Sequence, residues 1–330
     1  MGHETLVLTR RDVQGLLGFD ECITAVESAF RLHAEGRSLP PGVLGIRAPA
    51  GGFHIKAAGL ELGRFYFAAK TNANFSSNPK QHNLPAIQGV IVLCDAENGC
   101  PLAVMDSMEV TTRRTAAATA VAAKWLARRD ANTVTICGCG IQGRAQLVAL
   151  SRVLPIRRAY AFDIDAAAAG RYASDLAAEL GIEVTPVTDL VEALRHSDVC
   201  VTCTPSRRAF LRREDVRPGT FVAAVGADSS DKHELEPTLM AAATVVVDLL
   251  QQCASIGDLH HALETGAMTR DRVHAELGEL VAGRQPGRRS DAEITIFDST
   301  GTALQDVAAA AMVFERAVAA GVGLAVALGD

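Results

Sequence analysis

Residues 133–143, TVTICGCGIQG, form an apolar β-rich run that leads through a glycine-rich turn into an Ala- and Leu-rich helix. The spacing of Gly138, Gly140 and Gly143 is that of a dinucleotide-binding βα unit. There the first glycine permits a tight turn, the second lets the backbone approach a pyrophosphate, and the third lets the helix pack closely on the strand. The N–H groups at the helix N-terminus bind the anion. This pattern predicts a Rossmann domain.

A second β-like run, residues 159–163, ends in Asp163, about 20 residues after the last glycine, where a ribose-binding carboxylate belongs. A carboxylate would repel a 2′-phosphate, so we expect NAD rather than NADP as the cofactor, although Arg157, Arg158 and Arg171 lie nearby in the sequence. The alternative interpretation is an ordinary glycine-rich turn followed by a surface aspartate.

Composition narrows the class of protein. The 330 residues, 48% hydrophobic and 21% charged, are typical of a soluble globular protein with two domains. A net charge of −6, with no basic stripe interleaved with aromatic residues, argues against a nucleic-acid partner. No apolar run is long enough to span a membrane, and the first residues lack a secretory pattern.

Eight cysteines are scattered mostly within apolar segments, as expected for reduced thiols in the cytoplasm rather than for a disulfide framework. Cys200 and Cys203 have the CxxC spacing but fall within a strand-like run, where residues three apart point to opposite faces. We therefore expect a cytoplasmic protein with no membrane contact and no metal site.

The order of predicted elements indicates two architectures. Short β runs between turn residues occupy residues 39–106 and predict an antiparallel sheet, while the polar segment 71–84 reads as a loop that could close over a ligand. From residue 133 onward strands and helices alternate, and an Ala- and Val-rich helix over residues 303–320 closes the chain. The fold class is α/β: a Rossmann doubly wound sheet plus a smaller α+β domain with an antiparallel sheet.

Polar loops follow three of the predicted parallel strands, at residues 204–206, 226–232 and 298–301. Ligands of doubly wound folds bind at the carboxyl ends of strands, so these loops are candidates for one binding rim. We expect Asp228 to be the general acid/base, because a carboxylate there can be partly desolvated beside a nicotinamide. Each loop could instead be an ordinary strand-to-helix turn.

Cationic side chains lie in or beside apolar segments of the N-terminal part, where an unpaired charge would be costly. They are His54, Lys56, Lys70 and Arg114. We expect them to face an anionic substrate. The alternative for each is a side chain that extends to solvent or an internal ion pair.

Over nearly its whole length the sequence resembles the ornithine cyclodeaminase/μ-crystallin family, which includes archaeal-type alanine dehydrogenases and ketimine reductases. The segments that carry the resemblance are residues 101–106, 114–117, 138–142, 204–207, 226–228 with Lys232, Glu234-Leu235, and 294–301.

The resemblance implies roles for individual residues. Lys70 and Arg114 would bind the substrate carboxylate, and Asp228 with Lys70 would be catalytic. The remaining candidates would contact the dinucleotide together with Asp163 and the three glycines; they are Thr115, Ile141, Gln142, Thr204, Ser206, Gly226, Lys232 and Ser299.

The resemblance also implies a homodimer joined through the non-Rossmann domain, to which the final helix would return. The predicted domains are therefore residues 1–117 with 305–330 for substrate binding and dimerisation, and residues 118–304 for NAD binding.

Two departures from the family bear on the substrate. Many members have an arginine after the proline in the first ligand loop, whereas this chain has Pro40-Pro41-Gly42, with Arg47 further on as a candidate substrate ligand. The resemblance implies that ornithine cyclodeaminases have an acidic residue at the positions that correspond to His54 and Lys56, where it would bind the distal ammonium of ornithine. Two cationic residues would repel that ammonium, and they suit a substrate with a distal carboxylate or no distal charge.

The sequence therefore predicts an NAD(H)-dependent oxidoreductase that acts on a small amino or imino acid, reducing a ketimine such as pyrroline-2-carboxylate or carrying out alanine-type reductive amination of a 2-oxo acid. One alternative is an ornithine cyclodeaminase-type ammonia-lyase that uses NAD catalytically. The other is a non-catalytic, μ-crystallin-like binding protein.

Overall fold

The computed structural model describes residues 4–328, and the chain divides into two compact units. Unit 1 is Met1–Arg114 with Thr302–Asp330, and unit 2 is Thr115–Gly301. Both boundaries lie slightly earlier in the chain than the sequence predicts. One helix, α4 (Ser107–Leu126), contributes residues to both units.

Unit 1 contains a seven-stranded sheet, and most of its helices come from the N-terminal part of the chain. Its elements are β1 (Glu4–Leu8), α1 (Arg10–Leu16), α2 (Phe19–Ala34), β2 (Ser38–Ala48), β3 (Gly51–Leu62), β4 (Arg64–Asn74), α3 (Asn78–Gln81), β5 (Ile87–Asp95), β6 (Pro101–Asp106), α12 (Ala303–Ala320) and β17 (Leu324–Ala327).

The strand order in this sheet is β17-β1-β6-β5-β4-β3-β2, antiparallel except for the parallel pair β1–β6. Helix α12 has the bounds that the sequence predicts, begins after the cap Thr302 and ends before Gly321, whose φ is +63°. It packs against α2, β3 and β4. Its alanines let it approach the sheet closely, so one helix forms the centre of the core of unit 1.

The polar segment 71–84 is not a single loop, which corrects the prediction. Strand β4 continues through Asn74, because residues 71–74 pair with β3 on one side and β5 on the other, and α3 follows. Backbone pairing with two neighbouring strands outweighs the weak strand preference of asparagine.

Unit 2 is built of alternating strands and helices. Its elements are β7 (Thr133–Cys137), α5 (Ile141–Val153), β8 (Arg158–Phe162), α6 (Ala166–Leu180), β9 (Glu183–Val187), α7 (Leu190–Arg195), β10 (Val199–Thr202), β11 (Arg207–Leu211), β12 (Phe221–Ala224), β13 (His233–Leu235), α8 (Pro237–Ala241), β14 (Thr244–Val247), α9 (Leu250–Ile256), α10 (Asp258–Glu264), β15 (Ala275–Glu276), α11 (Leu277–Val281) and β16 (Thr295–Asp298), with short 3₁₀ turns at Arg213–Asp215 and Arg270–Arg272.

Eight of these strands form one sheet in the order β15-β14-β16-β12-β10-β7-β8-β9, and every pair in it is parallel. The chain winds outward from β7 through β8 to β9, and then returns to β10 on the other side. The reversal between β7 and β10 is the switch point at which doubly wound folds bind ligands. The predicted fold class is confirmed, and the two-stranded sheet β11–β13 is an addition to it.

A separate finding concerns membranes: among residues 4–328, no helix combines the length and the apolar character that crossing a bilayer requires.

The first prediction concerns how α5 packs on β7. A methyl group on Gly143 would lie 2.1 Å from the carbonyl oxygen of Gly138, whereas one on Gly140 would meet nothing within 4 Å. We expect G143A to lower the free energy of unfolding by about 1–3 kcal/mol, because backbone must move to relieve the clash. The matched control G140A should leave it unchanged or raise it by up to about 1 kcal/mol. Urea unfolding measures both, and equal effects would contradict the packing role of Gly143.

Candidate functional site

The glycine loop between β7 and α5 is shaped by backbone contacts. Gly138 has a φ of +103°, a conformation that favours glycine, and a Cβ there would lie 2.9 Å from the carbonyl oxygen of Cys203. Gly140 precedes α5, and no side chain of the described residues caps that helix. Its first N–H groups are therefore suited to binding an anion. Ile141, the first helical residue, is 74% exposed.

Asp163 lies beside this loop, immediately after β8. Its carboxylate accepts hydrogen bonds from the backbone N–H of Cys139, at 2.8 Å, and of Asp165, at 2.9 Å. These bonds hold the acid at the carboxyl end of the sheet, next to the switch point. The neighbouring cations are engaged elsewhere: Arg158 pairs with Glu183 at 3.1 Å, and Arg171 lies 3.7 Å from Asp165.

Glu234, in β13, ties two of the strand-end loops together, a role that sequence reasoning missed. One carboxylate oxygen accepts from the N–H and the hydroxyl of Thr204, both at 2.7 Å. The other accepts from the hydroxyl of Thr202 at 2.7 Å and from the N–H of Gly226 at 2.9 Å. Burial raises the pKa of Glu234, and these four donors oppose that rise. The loops after β10 and β12 are thus fixed to one buried carboxylate.

Asp228 and Lys232 lie in the loop that follows β12. The Lys232 ammonium donates to the Asp228 carboxylate at 2.6 Å, and the Asp228 side chain is 51% exposed. The sequence predicts a carboxylate that is partly desolvated beside a nicotinamide, and this stays a prediction, since in the protein alone about half of the Asp228 side chain is exposed. Gly226, at the start of the same loop, is half-buried.

The loop after β16 is buried instead of lining an open rim. The carboxylate of Asp298 accepts from the N–H of Leu259 at 2.9 Å, at the start of α10. Ser299 is buried and its hydroxyl lies 3.3 Å from the carboxylate of Asp248, which also accepts from the N–H of Gly301.

The remaining candidates for cofactor contacts differ in burial and in their hydrogen-bond partners within the protein. The hydroxyl of Ser206 donates to the carbonyl of Arg208 at 2.7 Å, and Thr115 is buried within α4. Gln142, on the first turn of α5, has a buried Nε2 for which the described residues supply no hydrogen-bond acceptor. That amide is a candidate donor to a ligand phosphate.

In unit 1, Lys70 and Arg114 meet at the buried carboxylate of Asp306, in α12. The Lys70 ammonium lies 2.8 Å from this carboxylate and 3.2 Å from the hydroxyl of Thr111. Nε of Arg114 donates to Asp306 at 3.0 Å, and Nη1 donates to Oε1 of Gln305 at 2.7 Å. The alternative of an internal ion pair therefore holds for both cations, although one carboxylate balances only one of the two charges.

Burial is the main reason why the pKa of Lys70 falls to about 7; the charge of Arg114 lowers it further, and Asp306 opposes the fall. Burial disfavours the Asp306 carboxylate, but the charges of Lys70 and Arg114 outweigh that effect and lower its pKa. The cluster therefore holds a carboxylate next to an ammonium that can lose its proton near neutral pH.

The other predicted substrate residues lie on β2 and β3. Lys56 is buried and stands directly opposite Lys70 in the β3–β4 ladder, so the two side chains share one face of the sheet. His54 is half-buried, on the same face, opposite Asn72. Arg47 is exposed on the edge strand β2, opposite Gly52, and the structure does not bring it to the buried cluster.

Potential metal ligands group together at one place in the described range. One atom each of His260, His261 and Glu264 lies within 4.8 Å of the others. His261 Nε2 lies 2.8 Å from the carbonyl of Lys232, and His260 Nε2 lies 3.4 Å from Glu264. These contacts within the protein account for the grouping, and we assign no metal site to it.

Comparisons with known proteins agree with this geometry. Residues 3–321 match the model of the ornithine cyclodeaminase/mu-crystallin family. The chain is 41% identical to the alanine dehydrogenase of Archaeoglobus fulgidus over 320 residues, which are 97% of each chain.

Two solved structures are similar over nearly their whole length. An archaeal alanine dehydrogenase dimer with bound NAD superposes with a TM-score of 0.94 and 39% identity, covering 98% of this chain and 99% of that one. The Δ1-pyrroline-2-carboxylate reductase of Thermococcus litoralis, in complex with NADH and L-proline, superposes with a TM-score of 0.94 and 33% identity, covering 98% and 100%.

The second prediction follows from the lowered pKa of Lys70. Between about pH 7 and the ordinary lysine pKa of 10.5, the unfolded chain holds a proton on Lys70 that the folded protein has released. Stability contributed by this group therefore rises with pH across that window, by at most about 1.4 kcal/mol per pH unit. Relative to Lys70→Met, the wild-type free energy of unfolding should increase from pH 7.5 to 9.5 in urea titrations. A constant difference between the two proteins would contradict the shift.

Proposed function

The chain belongs to the ornithine cyclodeaminase/mu-crystallin family, and from this membership we infer that it is an NAD(H)-dependent oxidoreductase that acts on an amino or imino acid. The observation that carries the inference is that one chain contains both a dinucleotide-binding loop, in unit 2, and a buried cationic cluster, in unit 1. Relatives named alanine dehydrogenase and pyrroline-2-carboxylate reductase support it.

Unit 2 fits NAD by its own geometry. We propose that the pyrophosphate binds the N–H groups at the start of α5, with Gly140 leaving room for it, since a Cβ there would touch nothing within 4 Å. Asp163 would accept hydrogen bonds from the ribose hydroxyls, and Gln142 would supply its unpartnered amide. When bound, NAD(H) supplies or accepts the hydride. Thr204, Gly226 and the neighbouring loops, fixed by Glu234, complete the proposed cofactor-binding edge.

We propose that unit 1 binds the substrate carboxylate. When Lys70 is protonated, Lys70 and Arg114 carry two positive charges against the single negative charge of Asp306, so the cluster then has the charge that one carboxylate requires. Lys70 has three N–H donors, and its contacts with Thr111 and Asp306 use two of them. The Nε2 of Gln305 is a further buried donor without a partner among the described residues. Its orientation is fixed because Oε1 accepts from Arg114.

The chemistry then assigns one task to each group. Lys70 and Arg114 would hold the substrate carboxylate and so fix the orientation of the adjacent α-carbon, where bound NAD(H) would supply or accept the hydride. Asp228, as general acid, donates a proton to the imine nitrogen, and in the reverse direction it accepts that proton from the amine. Its carboxylate contacts the Lys232 ammonium at 2.6 Å. Reduction of a ketimine to an amino acid would thus consume one NADH and one proton. Reductive amination of a 2-oxo acid with ammonia would consume the same and release one water.

The rival functions fit these residues less well. A cyclodeaminase must accommodate a distal ammonium, and the buried Lys56 on the face that carries Lys70 would repel one. A binding protein without turnover has no need of the Asp228–Lys232 pair beside the loop that Glu234 fixes. Pyrroline-2-carboxylate, or pyruvate with ammonia, is therefore the substrate class to test.

We propose further that the protein works as a cytoplasmic homodimer joined through unit 1. The similar alanine dehydrogenase structure is a dimer. The edge strand β2 exposes large apolar side chains, which monomers rarely leave uncovered in one place. They are Leu39, Val43, Leu44 and Ile46. The eight cysteines, all free thiols, are compatible with a reducing compartment.

The third prediction tests the reaction and the role of Asp228. Purified protein should oxidise NADH stoichiometrically with pyrroline-2-carboxylate or with pyruvate plus ammonium, followed by absorbance. Asp228→Asn keeps the size of the side chain but removes its proton transfer, so we expect kcat to fall about 10²–10⁴-fold. Asp231→Asn, a change in the same loop, is the matched control and should retain activity.

Two outcomes would contradict the proposal. Asp228→Asn with wild-type kcat would remove Asp228 as the general acid. Ammonia and proline formed from L-ornithine with catalytic NAD⁺, without net change in NADH, would establish the cyclodeaminase instead.

A further inference from the structure

Four carboxylates are buried in unit 2, and they have no task in the proposed hydride and proton transfers. They are Glu234, Asp248, Asp258 and Asp298, and none is more than 1% exposed. Among the described residues, no lysine or arginine forms an ion pair with any of the four, and no three of their oxygen atoms meet at one point as metal ligands would. Four negative charges buried without cations are highly unfavourable, so the group must hold protons.

Backbone hydrogen bonds join three of these carboxylates in a series. Asp298 accepts from the N–H groups of Asp258 and Leu259, at 3.3 and 2.9 Å, where α10 begins. Oδ1 of Asp258 accepts from the N–H groups of Glu234 and Leu235 in β13, at 2.8 and 2.9 Å. Glu234 in turn fixes the loops after β10 and β12. Each acid thus holds the backbone of the next, and the series ends at the proposed cofactor-binding edge.

One oxygen of Asp258 has no hydrogen-bond partner. This atom, Oδ2, is buried, and the described residues supply no donor to it, whereas Oδ1 of the same side chain accepts two hydrogen bonds. Glu234 accepts four hydrogen bonds, which stabilise its ionised form. Of the two acids, Asp258 is therefore the one that is built to carry a proton, and Oδ2 is the atom that carries it.

The electrostatics of the series agree with this assignment. Burial, and after it the charge of Glu234, raise the pKa of Asp258 to about 7 against the effect of its two backbone donors. Burial, and after it the charge of Asp258, raise the pKa of Asp298 well above its usual range. Asp298 therefore keeps its proton at neutral pH, while Asp258 gains and loses one there.

The elements packed around Asp258 carry few groups that could compensate its charge. Their other titratable groups are His233 in β13, Glu236 directly after it, Cys253 in α9, and His260, His261 and Glu264 in α10. The rings of His233 and His261 are stacked, with centroids 3.9 Å apart. Burial, and after it the charge of His261, lower the pKa of His233. Lys232, just before β13, donates to Asp228 at 2.6 Å.

We propose that Asp258 is a positioning residue for the cofactor: its protonated form lets Glu234 hold the loops after β10 and β12, and loss of the proton loosens these loops and weakens dinucleotide binding. The inference rests on the proposed function, since it concerns the cofactor site of that reaction. The step moves a proton alone, from Oδ2 of Asp258 to solvent. It leaves two buried carboxylates, Asp258 and Glu234, that repel each other.

Asp258→Asn tests this directly, because the amide keeps the shape of the side chain, still accepts from β13 and cannot ionise. The fluorescence of bound NADH gives its Kd between pH 6 and pH 8.5. We expect the wild-type Kd to rise by about threefold to tenfold over this range, and that of Asp258→Asn to stay constant. Asp271→Asn, an exposed change in unit 2, is the control and should follow the wild type. Equal pH dependence in the wild type and Asp258→Asn would overturn the proposal.

A second variant separates the two acids. Glu234→Gln replaces one accepting oxygen by an NH₂ group, which cannot accept from the donors that now bind there. We expect the Kd for NADH to rise by about tenfold or more at every pH, because hydrogen bonds to a charged group are lost. A Glu234→Gln protein that binds NADH like Asp258→Asn would place the proton on Glu234 and contradict the assignment.

A measurement on the wild type alone covers the case in which neither variant folds. Calorimetric titration with NADH at pH 7.5, in buffers of different ionisation enthalpy, counts the protons exchanged on binding. Uptake of a fraction of a proton per NADH supports the proposal. NADH binding without uptake, in a protein that turns over an imino acid, would uphold the oxidoreductase and overturn the role of Asp258. Absence of NADH binding at every pH would contradict both.

Discussion

The burial of Asp306 between Lys70 and Arg114 is the interaction on which unit 1 depends. These partners lie 236 and 192 residues from Asp306 in the chain, so the pair forms only when α12 returns to the sheet after the whole of unit 2. Removing the carboxylate of Asp306, or both of its cationic partners, would leave an uncompensated buried charge, which typically costs about 3–5 kcal/mol. The same constraint leaves more positive than negative charge in the cluster when Lys70 is protonated, and the proposed binding of a substrate carboxylate rests on that charge.

In unit 2, Glu234 is likewise a buried carboxylate that connects segments distant in the chain. Parallel strands bring their carboxyl ends to one edge, but loops at that edge have backbone donors that the sheet does not pair. Glu234 accepts from two such backbone N–H groups, those of Thr204 and Gly226, and also from the hydroxyls of Thr204 and Thr202. A buried carboxylate thereby fixes loops that would otherwise be free to move, at the expense of a raised pKa.

The sequence predicted those features that depend on residues close together in the chain. The glycine spacing at residues 138–143, the position of Asp163 and the bounds of α12 follow from turn geometry and periodicity, and the structure has them there. Asp306 was missed although its signal was visible: a carboxylate directly before the apolar run Val307–Phe314 of a buried helix requires a cation. Which cation it meets depends on long-range packing, as does the pairing that extends β4 through the polar segment, and no periodicity encodes either.

The proposed function requires that hydride passes between NAD(H) and the α-carbon of an amino or imino acid. The most direct measurement uses NADH deuterated at C4 of the nicotinamide with pyrroline-2-carboxylate, and with the 2-oxo acids plus ammonium, followed by mass spectrometry of the product. We predict one deuterium at the α-carbon of the amino acid when the transferred position carries the label. Amino acid formed without label from NADH deuterated at both C4 positions would contradict the account.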